Sequence, residues 1–275
     1  MRIVQSLLLV VFATWHLGAA GAARVIDVVG HAERAAARGA LPLALFESLA
    51  PRERLLLQAG ASVTVIFDDS GRQFLLLGPG RWEVGADAIA TVQGAAPSAL
   101  PTAAPALRPP ASARGRLAAG AAAMRVSGAL DLALHPDATR LLAAPTELRW
   151  ATAGEGSRYK VTLATAQGQA LFEGSSEDSP LVLPDAARAQ PGMSYAWSVQ
   201  VQSGPRAGSR AFAAFTVADE AARQQWAALR PPADAPASQW VLYAHALETA
   251  GFADDAREAW RRVHEQRPGL RWVVP

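Results

Sequence analysis

Two groups of three residues near the C-terminus share one spacing and lie 34 positions apart: Ala222, Trp226, Leu229 and Ala256, Trp260, Val263. Residues at i, i+4 and i+7 lie on one face of an α-helix. A third group between them, Trp240, Ala244 and Leu247, has the same spacing. Arg230-Pro231-Pro232, Gly251 and Pro268-Gly269 supply the stops that follow each group. We therefore predict three helices within residues 219–275.

The 34-residue interval is that of the tetratricopeptide repeat, which the helical segment resembles over residues 219–269. The positions that carry the resemblance are Trp240, Ala244, Leu247, Gly251, Ala256, Trp260, Val263 and Pro268. It implies a concave protein-binding face on the first helix of the repeat, here carrying Leu242, His245 and Glu248. A simple solvated face is the alternative. Stable arrays need about three or more repeats, so we expect this segment to pack on the second β unit or on a partner.

The N-terminus predicts export. Met1-Arg2 is basic, Ile3 to Thr14 is largely apolar, and small residues follow as far as Ala23. This order is typical of a secretory signal peptide, here residues 1–23, and it predicts a periplasmic or secreted protein without a transmembrane anchor after cleavage. A retained anchor is the alternative. The chain has no cysteine, so neither a lipid anchor nor disulfides are expected.

Residues 24–94 read as short strands separated by turns. Val63, Val65 and Phe67 alternate with other residues, and a turn rich in Asp, Ser and Gly follows at residues 68–71. The stretches 28–30 (VVG), 46–49 (FESL), 55–57 (LLL), 61–71 (ASVTVIFDDSG) and 77–80 (LGPG) resemble the FecR-type periplasmic domain. This resemblance implies a β domain of envelope proteins that relay or scaffold signals, with no catalysis. Calcium binding by Asp68 and Asp69 is an alternative to the turn.

Composition marks a linker over residues 95–123, where Ala, Pro, Ser and Gly dominate and aromatic residues are absent. Residues 124–218 then show longer alternating runs, typical of a two-sheet sandwich. Within 145–217, the stretches 148–150 (LRW), 159–161 (YKV) and 191–197 (PGMSYAW) resemble a fibronectin type III or immunoglobulin-like module. The predicted fold class is therefore multi-domain and mainly β, with a short α-helical C-terminal segment.

Aromatic residues offer an alternative function, because sugar rings stack on exposed aromatic faces. The alternation around Trp150, Tyr195 and Trp197 instead places them among Val and Leu on the buried face, so we predict core packing. Trp82 and Trp272 remain candidate platforms for a glycan or peptidoglycan.

Charge and motifs exclude several other functions. Lys and Arg total 26 against 24 Asp and Glu, which gives no concentrated basic surface for nucleic acid. The histidines lie in unrelated segments without metal-ligand spacing, and nucleophile elbows and phosphate loops are absent. We therefore expect no catalytic residues, no metal and no cofactor. A hydrolase using two carboxylates that meet only in space is the alternative.

Together these features predict a non-enzymatic exported envelope protein that acts as a protein-binding adaptor or signalling scaffold. Its partner is expected to be an envelope protein or peptide. Carbohydrate or peptidoglycan binding is the alternative function. Sequence does not name the partner.

Overall fold

The computed structural model describes residues 23–36, 39–109 and 132–270. Most of the predicted signal segment and the second half of the predicted linker lie outside these residues. Within them, strands predominate and three helices close the chain, which confirms the predicted mainly β fold with a short helical end. No helix in the described part of the chain has the length and apolar character needed to cross a membrane.

The strands are β1 (Ala23–Val29), β2 (Ala32–Ala36), β3 (Gly39–Pro42), β4 (Ser48–Leu49), β5 (Arg54–Leu57), β6 (Ser62–Phe67), β7 (Gln73–Leu77), β8 (Gly80–Val84), β9 (Ile89–Gln93), β10 (Ser98–Leu100), β11 (Thr139–Leu141), β12 (Glu147–Leu148), β13 (Arg158–Thr165), β14 (Ala170–Ser176), β15 (Leu181–Val182), β16 (Ser194–Ser203) and β17 (Arg210–Val217). The helices are α1 (Glu220–Leu229), α2 (Ala237–Thr249) and α3 (Ala253–Gln266), with short 3-10 turns at Pro105–Leu107 and Asp185–Ala187.

The N-terminal β unit contains two five-stranded sheets, in the orders β10-β7-β6-β1-β4 and β3-β2-β5-β8-β9. Alternation in β6 sends Val63, Val65 and Phe67 into one apolar core. The predicted turn at residues 68–71 joins β6 to β7, and Gly71 has the left-handed φ of 72° that glycine adopts without strain.

The first part of the predicted linker belongs to this β unit. Strand β10 pairs with β7, the Ala103 amide donates to the Gly71 carbonyl, and Ala103 is buried. Backbone hydrogen bonds in a ladder do not require apolar side chains. A low-complexity composition therefore did not reveal this strand.

The second β unit has a five-stranded sheet in the order β11-β17-β16-β13-β14 and a two-stranded sheet of β12 and β15. Pairing is antiparallel except between β11 and β17, which run parallel. Trp150, Tyr195 and Trp197 are 5%, 2% and 2% exposed and lie in the same core. Their predicted role in core packing is confirmed.

The three C-terminal helices form where the tryptophan spacing predicts them. Asp219 caps α1 by accepting a hydrogen bond from the Ala222 amide, and α2 ends just before Gly251, which has a φ of 84°. Trp226, Trp240 and Trp260 are all buried in one cluster.

The helices pack on both β units. Their core cluster includes Ile26, Leu45 and Ile66 from the N-terminal unit. On the other side, the Arg140 amide of β11 donates to the Gly251 carbonyl at 2.8 Å, and the Leu142 amide, just after β11, donates to the Asp255 carboxylate at 3.0 Å. The sequence predicts support for the helices from the second β unit or a partner, whereas the structure shows contacts with both β units.

Candidate functional site

The predicted binding face on α2 lies against the N-terminal β unit. Leu242 is only 2% exposed and belongs to the helical core, whereas His245 is half-buried and Glu248 is exposed. Successive turns of α2 place these side chains along one side of the helix. The structure thus brings the three residues together on one helix, but it does not leave them as one open surface.

Phe46 covers the middle of that face. Its ring centroid lies 4.6 Å from that of His245 and 6.0 Å from that of Trp260. The Phe46 amide donates to the Val25 carbonyl at 2.8 Å, which fixes the segment to β1. Phe46 also adopts a left-handed φ of 62°, a conformation that is costly for a bulky residue. A side chain from the chain's own β unit therefore occupies the place expected for a partner at His245.

The surroundings of His245 favour its neutral form. Burial, reinforced by the positive charge of Arg24, lowers the pKa of His245. Its Nε2 is buried and has no hydrogen-bond partner among the described residues. Arg24 is itself paired with Asp68 at 3.0 Å inside the protein, and burial raises the pKa of Asp68 while Arg24 opposes that rise. The pairing of Asp68 with Arg24 favours a structural role for this carboxylate over a calcium site.

Two further contacts stabilise the junction of α2 and α3 with the N-terminal β unit. The indole N–H of Trp260 donates to Glu248 at 2.9 Å, and partial burial of the carboxyl group, in a residue that is otherwise exposed, raises the pKa of Glu248 against the opposing effect of that hydrogen bond. Arg267, just after α3, pairs with Asp27 of β1 at 3.2 Å. Glu248 and Asp27 therefore help to join the helices to each other and to the β unit.

An open apolar groove begins beside Leu242. Its volume is about 230 Å³. One wall comes from the segment after β10, the other from the end of α1 and the start of α2, and the lining is formed by Gln73, Pro101, Thr102, Ala103, Ala104, Leu107, Leu229, Arg230, Pro231, Pro232, Gln239 and Leu242. Gln73 is fixed because its side-chain amide donates to the Pro101 carbonyl at 2.7 Å. Of the three residues predicted to bind a partner, Leu242 is the one that lines this groove, although its side chain is only 2% exposed.

The lining of the groove is mainly apolar. Apolar side chains and proline rings supply contact area, and Gln239 supplies an amide, whereas the amide N–H of Gln73 is already bonded to Pro101. Within residues 23–36, 39–109 and 132–270, no group of three or more His, Cys, Asp or Glu converges as a metal site would require.

The prediction that Trp82 is an exposed platform for a sugar is wrong. Trp82 is 0% exposed, and its indole N–H donates to the Ala95 carbonyl at 3.0 Å. Its strand alternation with Val84 directs it into the core of the N-terminal unit. Trp272 lies outside the described residues.

Sequence reasoning missed Phe46, Pro101 and Leu107. Phe46 meets His245 only through the packing of distant segments, for which the local pattern carries no signal. The prolines around Leu107 read as a linker, although an apolar residue within such a stretch was a signal that it could rest on a surface.

The chain matches none of the protein-family models and none of the curated proteins with which it was compared.

Proposed function

We propose that this chain is an exported, non-enzymatic scaffold of the cell envelope that binds a peptide segment of a protein partner. The observation that carries the proposal is the apolar groove beside Leu242, at the seam between the N-terminal β unit and the helices. Its walls come from segments that precede and follow the second β unit in the sequence, so the groove forms only when the whole chain is folded.

The lining favours an extended peptide with an apolar side chain. Proline rings on both walls offer flat contact surfaces and no backbone N–H groups, and Leu107, Leu229 and Leu242 add apolar area. Gln239 on the rim has amide groups that can exchange hydrogen bonds with a peptide backbone. Such a groove selects its ligand mainly by the fit of one anchoring side chain.

Location and resemblance support the same function. The N-terminal segment predicts export, and the resemblance to FecR-type domains implies a role in relaying or scaffolding envelope signals. Helices that pack on both β units fit a scaffold that holds its binding surfaces in fixed positions. We place the protein in the periplasm or outside the cell.

Selection from a displayed library of random peptides tests this function on the full chain. We expect peptides with a recurring apolar anchor, and we expect Leu107→Glu and Leu229→Glu to weaken their binding at least about tenfold, since each places a charge in an apolar contact. Val182→Glu is the matched control, because Val182 is 69% exposed on the second β unit. Peptides that bind all three variants equally, or a library without any groove-dependent binder, contradict the proposal.

A further inference from the structure

One residue in the β-unit wall of the peptide groove has unused backbone groups. Thr102 lines the groove and is exposed, and neither its N–H nor its C=O forms a hydrogen bond with a described residue. The Pro101 carbonyl before it accepts from the Gln73 side chain at 2.7 Å. The Ala103 amide after it donates to the Gly71 carbonyl at 2.9 Å. Thr102 therefore has both a donor and an acceptor available to the backbone of a ligand.

Thr102 lies two residues beyond β10, the outermost strand of its sheet. Strand β10 pairs with β7 alone among the described strands. The edge of a sheet presents N–H and C=O groups to which an extended peptide can add as a further strand. Pro101 has no N–H, so Thr102 supplies the first backbone donor after β10. An extended peptide backbone is thus the ligand chemistry that this wall matches.

The helical wall of the groove carries a cation. Arg230 is the only charged residue among those that line the groove, and no described carboxylate forms an ion pair with it. It lies near enough to Asp255 and Glu258 to favour their ionised forms slightly. However, Asp255 accepts from the Leu142 amide, and Glu258 pairs with Arg261. An arginine beside an apolar groove without acidic lining favours a ligand that brings its own carboxylate.

We infer that the groove binds an acidic peptide in an extended conformation. The peptide backbone pairs with Thr102, while an apolar side chain enters the groove towards Leu107 and Leu229. An Asp or Glu side chain of the peptide pairs with Arg230. Residues two apart in an extended chain lie on the same face, so this acidic residue lies two positions from the anchor. Acidic selectivity of this kind rests on the proposed peptide-binding function, because the same groove holds the anchor.

The library of random displayed peptides tests the role of charge on the full-length protein. We expect peptides selected by the wild type to carry Asp or Glu two positions from the apolar anchor. Arg230→Gln should lose that enrichment, and Arg230→Glu should select Lys or Arg in its place. Arg206→Gln, on an exposed turn of the second β unit, is the matched control and should keep the acidic preference.

Synthetic copies of one selected peptide measure each contact separately. Replacing the acidic residue of the peptide by Gln should weaken its binding to the wild type about threefold or more, and its binding to Arg230→Gln less than about twofold. Methylating the peptide amide that donates to the Thr102 carbonyl should weaken binding about fivefold, whereas methylation of the next amide along the peptide should be tolerated.

Thr102→Pro tests the same pairing from the side of the protein. It removes an N–H that makes no hydrogen bond with the described residues, so the melting temperature should be preserved while peptide binding weakens about fivefold. Where this variant is less stable than the wild type, the methylated peptides decide the question on unaltered protein.

Two results separate this mode of binding from the function on which it rests. Peptides that need Leu107 and Leu229 but show no acidic preference, or that tolerate methylation at every amide, overturn the acidic, extended mode and leave peptide binding in place. A library without any groove-dependent binder overturns both.

Discussion

The ring of Phe46 packs on the imidazole of His245, with centroids 4.6 Å apart, although one residue belongs to the N-terminal β unit and the other to α2. Trp260 of α3 completes the contact at 6.0 Å from Phe46. The backbone at Phe46 is left-handed, with a φ of 62°. Packing around the ring thus offsets a conformation that a bulky residue disfavours.

Removing the Phe46 ring should weaken this junction. Phe46→Ala is expected to lower the free energy of unfolding by about 2 kcal/mol, less than the ~3–5 kcal/mol of a fully buried phenylalanine because this ring is partly exposed. Urea denaturation measures the change. Phe212→Ala is the control: Phe212 is 62% exposed, and its loss should change stability by no more than about 0.5 kcal/mol. Equal effects for the two variants contradict the role given to Phe46.

Acid should destabilise the same contact. The pKa of His245 lies below its ordinary value of 6.5 because of burial and then Arg24. Neutral His245 therefore contributes its full stabilisation of the fold above pH 6.5. That contribution decreases as pH falls through the folded-state pKa, because the unfolded chain binds the proton more readily than the folded chain. The slope contributed by one such group is at most about 1.4 kcal/mol per pH unit.

Comparison with His245→Gln isolates that effect. Glu248 and Asp68 have raised pKa values, so protonation of these carboxylates in acid stabilises the folded state. This effect is present in the wild type and in the variant alike. Denaturation at pH 7.5 and 5.5 should show a smaller acid-induced loss for the variant. An identical loss in the two proteins would show that protonation of His245 does not destabilise the folded state.

Asp255 should hold α3 against the second β unit. Its carboxylate accepts from the Leu142 amide at 3.0 Å, and burial raises the pKa of Asp255. Asp255→Ala leaves that amide without its acceptor and is expected to cost about 1–3 kcal/mol. Asp255→Asn keeps an acceptor and should cost less. Hydrogen exchange at the Leu142 amide should become faster in the alanine variant and stay slow in the asparagine variant. Slow exchange in both variants would show that this hydrogen bond does not stabilise the packing of α3 on the second β unit.

The helices and many strands were predictable because local spacing specifies them. Trp226, Trp240 and Trp260 recur at helical intervals, and all three are buried. Alternation in β13 and β16 likewise predicts which side chains enter the core. Such patterns report which face of an element is apolar.

The covering of the α2 face was not predictable in the same way. A spacing that places Leu242 and His245 on one face does not specify what lies opposite, and Phe46 supplies that surface from a remote segment. Strand β10 was missed for a different reason, since its pairing with β7 rests on backbone groups. One wall of the open groove follows β10 and depends on this pairing, so only the helical wall could be predicted from the sequence.

The signal peptide predicted over residues 1–23 ends at a residue that belongs to β1. Ala23 is 0% exposed and pairs with both Leu49 and Phe67 in the first sheet. Ala20-Gly21-Ala22 has the small-x-small form that signal peptidases cut after. We expect the exported protein to begin at Ala23, which preserves the strand. Intact-mass measurement of protein recovered from the exporting cell checks this, and a chain that begins at Arg24 or later contradicts it.

Photo-cross-linking in the living cell tests the proposed binding of a peptide in the groove most directly. A photoreactive residue replaces Leu107 in the groove of the full-length protein, and the control carries it at Val182, which is 69% exposed on the other β unit. We predict a discrete adduct from Leu107 alone, with the cross-linked partner peptide carrying an apolar anchor when sequenced by mass spectrometry. Leu229→Glu in the same protein should abolish the adduct. Adducts of equal pattern from both positions, or a Leu107 adduct that persists with Leu229→Glu, would contradict binding in this groove.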